Sequence, residues 1–258
     1  MTRTLRTGFA LAMAAGMVLA SAPARADSRC LGRKPSITGT QGNDILRGNK
    51  KRNVIAGLNG DDKVKGRGGD DILCGGAGND VVLAGPGIDE ATGQKGNDAV
   101  KGASENDTVF GGQGRDAVSG GPGDDKISGE QGPDRIVGDS ENDTMFGGEG
   151  NDTFLGGDGV DAVDFGFSPG SVTADLRTLT ATGEGSDSLN AVENLLGGRF
   201  DDQLIGDDGP NYLFGSAGSD GMDGQGGDDI LVGSLGDDNA DGGAGADSCD
   251  AETTTNCP

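Results

Sequence analysis

The stretch Gly75–Leu83 reads GGAGNDVVL, and the same nine-residue frame returns as GGQGRDAVS at 111–119 and as GGEGNDTFL at 147–155. A glycine-rich segment precedes an aspartate, and an apolar residue follows two places later. With the aspartate numbered as position 6, the frame runs through fourteen repeats at 39–164 without a slip, and through six more at 197–250. The fold and the function must both explain this period.

The composition by itself is typical of a disordered chain, because 53 glycines and 3% aromatic residues leave little apolar surface to bury. The ordering of the repeat argues otherwise. Position 1 is glycine in nineteen of twenty repeats, Ala84 being the exception, and position 8 is apolar in all twenty. Prolines within the arrays fall only at positions 3 and 5, away from positions 7–9, where a strand needs its N–H groups. The pattern therefore predicts structure, with a short strand at positions 7–9.

The N-terminus has the features of a secretory signal peptide. Arg3 and Arg6 precede the apolar run Gly8–Ala20, and Ala24-Arg25-Ala26 gives a small-x-small cleavage pattern. We therefore expect a signal peptide at 1–26 and a secreted, extracellular protein without a membrane span. Removal of the signal peptide leaves 17 basic and 43 acidic residues, a net charge of −26. Such a chain repels nucleic acid and anionic membranes and attracts cations.

Four cysteines, Cys30, Cys74, Cys249 and Cys257, suggest disulfides in a secreted protein. The favoured pairing is Cys30–Cys74 and Cys249–Cys257, one link at each end of the array, and the two other pairings remain open. A zinc site is the weaker alternative, because the spacing is wrong and the chain has no histidine.

The nonapeptide resembles GGxGxDxUx, the motif of the repeats-in-toxin, or haemolysin-type, calcium-binding repeats. The resemblance covers about 180 of the 258 residues, and 171–198 also resembles a spacer found between such arrays. It implies an all-β parallel β-roll, a solenoid in which two repeats form one coil and residues 18 apart are stacked. It further implies that Ca²⁺ is held between successive coils by aspartate side chains and turn carbonyls, oxygen ligands that this ion prefers.

On this basis the chain divides into a cap segment at 27–38, a first roll at 39–164, a spacer at 165–196, a second roll at 197–250 and a tail at 251–258. Alternating apolar residues in the spacer predict a strand pair packed on the roll. Asp161 and Asp202 are 41 residues apart, which is not a multiple of nine. We therefore expect the aspartate columns to be interrupted and the second array to form a separate or rotated roll.

The expected metal ligands are the eighteen position-6 aspartates: Asp44, Asp62, Asp71, Asp80, Asp89, Asp98, Asp107, Asp116, Asp125, Asp134, Asp143, Asp152, Asp161, Asp202, Asp220, Asp229, Asp238 and Asp247. Twelve gaps between stacked repeats in the first array and four in the second give up to about sixteen Ca²⁺ ions. Asn53 and Asn211 lack the carboxylate, so their sites are doubtful. Glycines at positions 1, 2 and 4 are expected to allow φ > 0 in the turn. Glu105 and Glu141 at position 4 are interpreted as extra carboxylates or as drift after a duplication.

The repeat predicts a calcium-binding structural or interaction protein and no enzyme. The absence of histidine excludes zinc-protease and Ser-His mechanisms, and the abundant carboxylates are explained by calcium, so we expect no catalytic residues and no further cofactor. The alternative is an accessory or remnant repeat module of a secreted hydrolase or adhesin. The N-terminal signal departs from the C-terminal export signal of many family members, which argues against a toxin. The sequence indicates no particular protein or cell-surface partner.

Overall fold

The computed structural model describes residues 29–257, so the signal peptide expected at 1–26 lies outside the described residues. This part of the chain consists of strands and turns, with no helix. Numbered in chain order, the strands are β1 (Ile37–Thr38), β2 (Ile45–Arg47), β3 (Val54–Asn59), β4 (Lys63–Lys65), β5 (Ile72–Ala77), β6 (Val81–Pro86), β7 (Glu90–Lys95), β8 (Ala99–Ser104), β9 (Thr108–Gln113), β10 (Ala117–Pro122), β11 (Lys126–Gln131), β12 (Arg135–Ser140), β13 (Thr144–Glu149), β14 (Thr153–Asp158), β15 (Ala162–Asp164), β16 (Thr173–Asp175), β17 (Thr180–Thr182), β18 (Ser186–Asn190), β19 (Asn194–Leu196), β20 (Gln203–Ile205), β21 (Tyr212–Ala217), β22 (Gly221–Asp223), β23 (Ile230–Leu235), β24 (Asn239–Asp241), β25 (Ser248–Asp250) and β26 (Thr253–Thr255).

Within the repeats, successive strands alternate between two sheets. Sheet I has twelve strands in the order β1-β3-β5-β7-β9-β11-β13-β15-β19-β21-β23-β25, and sheet II has fourteen, running from β2 to β26. In the arrays, neighbouring strands of a sheet are parallel and pair residues 18 apart, as with Ile127 between Val109 and Met145. Two repeats therefore make one coil, and the predicted parallel β-roll is confirmed.

The inward side chains of the two sheets form one continuous core. Position-8 residues from Ile55 to Ala240 are almost fully buried, with Phe154 and Met145 among the largest. Period-two alternation along each strand turns position 8 inward and its neighbours outward. This explains why position 8 is apolar in every repeat.

The strands are longer than the sequence predicts. Through most of the first array they have six residues, from position 7 to position 3 of the next repeat, so the turn is reduced to positions 4–6. Pro86 and Pro122, both at position 3, are accordingly the last residues of β6 and β10.

The spacer continues the roll, so the expectation of a separate or rotated second roll is wrong. In sheet I, β19 pairs in parallel with both β15 and β21. In sheet II, β18, β17 and β16 form an antiparallel insert between β14 and β20. The predicted spacer strands are present, but they lie within the sheets and do not pack on the outside, because their apolar residues extend the same core.

Both favoured disulfides are present, with Cα–Cα distances of 5.6 Å for Cys30–Cys74 and 5.9 Å for Cys249–Cys257. The first joins the cap segment to β5, and the second joins β25 to the tail. Residues 29–257 contain no helix that is long and apolar enough to cross a membrane.

Candidate metal centre

The position-6 residues form two buried columns along the roll, one beside each sheet. They lie in the tight turns that precede the strands, and seventeen of the eighteen aspartates are buried, Asp44 at the first coil being half-buried. Burial of so many carboxylates without basic partners is unfavourable unless other groups compensate their charge.

One oxygen of each interior carboxylate is used within the column. The backbone N–H of Asp98 donates to Asp116 Oδ1 over 2.7 Å, and the N–H of Asp116 donates to Asp134 Oδ1 over 2.8 Å. The same bond recurs at each step of 18 residues within an array. Each aspartate therefore caps the turn of the preceding coil and sets the stacking register.

The other oxygen has no partner in sixteen repeats. Here the buried Oδ2 atom accepts no hydrogen bond, in a protein interior where polar atoms are normally satisfied. These repeats carry Asp62, Asp71, Asp80, Asp89, Asp98, Asp107, Asp116, Asp125, Asp134, Asp143, Asp152, Asp161, Asp220, Asp229, Asp238 and Asp247. All sixteen belong to the set expected from the sequence.

In the four remaining repeats the position-6 side chain caps its own turn. At position 2 of these repeats, the N–H of Thr40 donates to Asp44 Oδ2 over 2.5 Å, and the N–H of Gly198 donates to Asp202 Oδ2 over 2.6 Å. Asn53 and Asn211 accept the equivalent N–H, each over 2.7 Å, through Oδ1. Asp44 and Asp202 therefore resemble the two asparagines more than the other aspartates.

The backbone at position 2 separates the two groups. In all sixteen repeats with an unpartnered oxygen, position 2 has a positive φ, including non-glycine residues such as Leu58 (89°), Gln94 (82°) and Glu130 (74°). In the four self-capped repeats it does not. The sixteen are the repeats that have another repeat 18 residues earlier, so stacking on a preceding nonapeptide repeat, and not merely on a preceding coil, accompanies the left-handed conformation. The unpartnered oxygens number twelve in the first array and four in the second, as do the gaps between stacked repeats.

Position 1 needs glycine for a different reason than the sequence predicts. None of the position-1 glycines has a positive φ, whereas positions 2 and 4 do. A Cβ added to Gly111 would lie 2.6 Å from Asp116 Oδ2 and 2.8 Å from the carbonyl oxygen of Gly129 in the next coil. Two electronegative oxygens thus converge on a space that one methyl group would fill. Ala84, the single position-1 residue with a side chain, is fully buried in this space beside the repeat of Asp89.

Burial dominates the electrostatics of the columns. Desolvation raises the pKa of Asp107, Asp134 and Asp143 to about 8, against the opposing effect of the accepted backbone N–H, and neighbouring carboxylates raise it further. It raises the pKa of Asp98 to about 7. Without a metal ion, these four carboxyl groups therefore hold protons near neutral pH that they would release in an unfolded chain.

Three column members were not predicted. The N–H groups of Asp152 and Asp161 donate to Asp187 Oδ1 (2.9 Å) and Glu193 Oε2 (2.8 Å) of the spacer, and that of Asp238 donates to Glu252 Oε2 (2.9 Å) of the tail. These residues do not fall at position 6 of a nine-residue repeat, so the period did not predict them. Asp187 and Glu193 each stand two places before a leucine, the same acid-x-apolar signal as in a repeat.

The residues present fit a calcium ion at each unpartnered oxygen. Every such site offers one buried carboxylate oxygen, and at Gly57, Gly111 and Gly138 a backbone carbonyl of the next coil converges on the same space, a donor set that suits a hard cation. No point within residues 29–257 collects three or more acidic, cysteine or histidine side chains. Backbone carbonyls must therefore supply most of the ligands, which excludes zinc sites built from side chains.

The geometry defines a parallel β-roll in which eighteen of the twenty repeats carry a position-6 carboxylate. In nineteen repeats a position-1 glycine keeps open the space beside position 6, which we call the cradle. The family model described as the RTX calcium-binding nonapeptide repeat matches the chain nine times, at residues 38–73, 48–82, 74–109, 83–118, 92–127, 101–136, 128–163, 196–231 and 223–253. The chain belongs to this family and is a calcium-binding repeat module. No curated protein sequence matches it.

Proposed function

We propose that the protein binds Ca²⁺ at the sixteen repeats whose position-6 Oδ2 is unpartnered and leaves the repeats of Asp44 and Asp202 empty. The observation that carries this proposal is the set of sixteen buried carboxylate oxygens without a hydrogen-bond donor. At Asp44 and Asp202 an N–H group already occupies the oxygen, so a cation would have to displace it. Ala84 narrows one of the sixteen cradles, which makes the site of Asp89 the weakest.

The chain folds on binding. A bound Ca²⁺ supplies the positive charge that lets neighbouring buried carboxylates ionise together. Without it, each Oδ2 must take up a proton or stay buried as an uncompensated charge. The narrow apolar core of a glycine-rich chain contributes too little free energy of folding to offset this cost. Metal binding therefore contributes free energy of folding, as it does at structural metal sites generally.

We infer a secreted structural or interaction module that performs no catalysis. Two disulfides favour an oxidising, extracellular compartment, where millimolar calcium is available. Two open grooves lie on the roll, one lined by Lys101, Ser119, Arg135 and Asp139, the other by Phe167, Arg199 and neighbours. Neither groove holds a pair of carboxylates, the arrangement that glycoside hydrolysis would need.

A calcium titration followed by circular dichroism and size-exclusion chromatography tests the proposal. The metal-free chain with intact disulfides should be expanded and give a coil spectrum, and it should compact and gain β signal at millimolar Ca²⁺. Mg²⁺ should substitute poorly, because it demands tighter octahedral geometry. Equilibrium dialysis should give about sixteen ions per chain. A chain that stays fully folded in excess chelator at neutral pH would overturn the proposal.

A further inference from the structure

Charge is distributed with a strong polarity along the roll. Residues 29–67, which form the first coils, contain ten Lys and Arg side chains and three aspartates. Residues 200–257, which form the last coils, contain fourteen acidic side chains and no Lys or Arg. Four ions bound at the unpartnered oxygens of the second array would offset eight of these negative charges and leave that end acidic. The two ends of the solenoid are thus oppositely charged.

The basic end has no internal partner for its charge. Within residues 29–257 the single side-chain ion pair joins Arg177 to Asp175, far along the chain in the spacer. Nine of the ten basic side chains at residues 29–67 are exposed. Lys50, Lys51 and Arg52 project together from the turn between β2 and β3. This charge is therefore available to a binding partner.

At both ends of the roll formed by residues 29–257, strand edges are unpaired and the last core side chains are only partly buried. In the described chain, β1 and β2 have a neighbour on one side only, and so do β25 and β26. The last apolar side chains of the core are only partly buried, namely Ile37 and Leu46 at one end and Cys249 and Ala251 at the other. Strand edges of this kind are templates for further pairing, and solenoids generally need polar caps to prevent it.

The hydrogen-bond ladder of the columns has complementary gaps. Along the arrays, each position-6 N–H donates to a carboxylate of the next coil. At the basic end Asp44 Oδ1 receives no such donor, and at the acidic end the N–H groups of Asp247 and Glu252 have no carboxylate to follow them within the described residues. In the column that leads into sheet II, the N–H of Glu252 therefore matches the free Oδ1 of Asp44, whereas the column of Asp247 meets no free carboxylate among the described residues of the basic end.

We propose that the basic end of one copy stacks on the acidic end of another, so that folded rolls associate head to tail. In this arrangement β25 and β26 of one copy pair in parallel with β1 and β2 of the next, and the core and the column that leads into sheet II continue across the junction. The contact is heterologous, since the two surfaces differ, so it builds open linear chains and does not stop at a dimer. It rests on the proposed function only in that the roll must be folded.

A second copy fits this end better than an anionic polymer does. A polyanion would meet the basic side chains, but it would leave the open strand edges and the exposed core uncovered. It would also be repelled by the last coils, where fourteen acidic side chains, less the eight charges offset by four ions, leave six negative charges.

Sedimentation velocity of the calcium-loaded full chain tests the proposal. At low ionic strength the wild type should form a series of multiples that grows with concentration and shrinks in 0.5 M NaCl, where the Debye length is only about 4 Å. In the variant Lys50→Gln/Lys51→Gln the association constant should fall by a factor of about five or more. Lys101→Gln/Lys126→Gln removes the same charge from the exposed middle of the roll and should match wild type.

A mixing experiment distinguishes a head-to-tail junction from other contacts. Asp237→Asn/Asp250→Asn neutralises two exposed carboxylates at the acidic end. This variant and Lys50→Gln/Lys51→Gln each keep one intact end, so mixing them should give a 1:1 dimer at concentrations where neither associates alone. Circular dichroism and calcium stoichiometry at the same calcium concentration confirm that each variant is folded, and these also report separately on the proposed function.

Three results would overturn the proposal. A folded wild type that remains monomeric up to ~0.1 mM at low salt would show that the proposed interface does not form, since weak specific contacts are populated at such concentrations. Association that saturates at a dimer, or that the middle variant weakens equally, would show a different contact. Binding of dextran sulfate by a monomeric wild type, lost in Lys50→Gln/Lys51→Gln, would assign the basic end to a polyanion.

Discussion

Replacement of Asp116 by asparagine separates the two functions of a position-6 carboxylate. Asp116 Oδ1 accepts the N–H of Asp98, and an asparagine keeps that bond. Asp116 Oδ2 is buried without a partner, and the substitution turns it into an amide nitrogen. The variant therefore retains the turn and the shape of the column but loses the charge and one oxygen ligand.

The size of the effect follows from one lost site among sixteen. At 10 mM Ca²⁺, about tenfold to a hundredfold above the Kd of ~10⁻⁴–10⁻³ M usual for extracellular modules, one site stabilises the fold by about 1.4–2.7 kcal/mol. The calcium midpoint of a cooperative transition shifts little, because the other sites share the deficit. In excess chelator the sign reverses or the effect vanishes, since the asparagine removes a buried carboxylate whose pKa burial raises.

The assay is urea unfolding at 10 mM Ca²⁺ and in chelator, combined with equilibrium dialysis. Asp44→Asn is the matched control, because it makes the same change at the same position in a turn that caps itself, and Asn53 already shows that an asparagine can do so. We expect Asp116→Asn to lose one ion and Asp44→Asn to lose none, with a stability change within about 0.5 kcal/mol for the control. Equal losses in the two variants would refute the assignment of ligands by unpartnered oxygens.

Other predictions address the cradle, the protons and the disulfides. Gly111→Ala should make the site of Asp116 a second weak site like that of Asp89, because its methyl group would occupy the space between two oxygens, whereas Gly42→Ala meets no atom within 4 Å and should bind like wild type; calcium titrations that do not differ between the two variants would contradict the cradle. Because burial raises the pKa of Asp107 to about 8, protonation stabilises the metal-free roll; this contribution is complete below about pH 4, the unfolded value, and is lost as the pH rises through 8. Circular dichroism in chelator should therefore detect more β structure at pH 4.5 than at pH 8, and a spectrum that does not change would count against it. Reduction of the Cys30–Cys74 and Cys249–Cys257 disulfides should increase hydrogen exchange in the terminal coils more than in the middle, since a solenoid is supported locally; uniform loss of protection would contradict this.

Most of the roll can be read from the chain because the repeat is local and strictly phased. A period of nine with an apolar position 8 places every inward side chain, and stacking at 18 residues gives the observed register without further information. For the disulfides the sequence favoured one pairing, with a link at each end of the array, and left two others open; the structure contains the favoured one. The arrangement of the spacer could not be predicted, because its strands join the sheets by pairing with residues 30 to 35 positions away, separations that the nine-residue period does not predict.

The features of the candidate site can likewise be separated into those that the sequence predicts and those that only the structure shows. The sequence alone determined which residues carry carboxylates and at what spacing, and its resemblance to the repeat family implied that they stack in two columns with sixteen gaps between stacked repeats. Only the tertiary structure decided that Asp44 and Asp202 bond their own turns while sixteen equivalents keep a free oxygen, and that Asp187, Glu193 and Glu252 extend the columns. The reason is physical: the conformation of position 2 differs according to whether another repeat stacks 18 residues before it, and a contact between stacked repeats is a property of the stack that no single repeat contains.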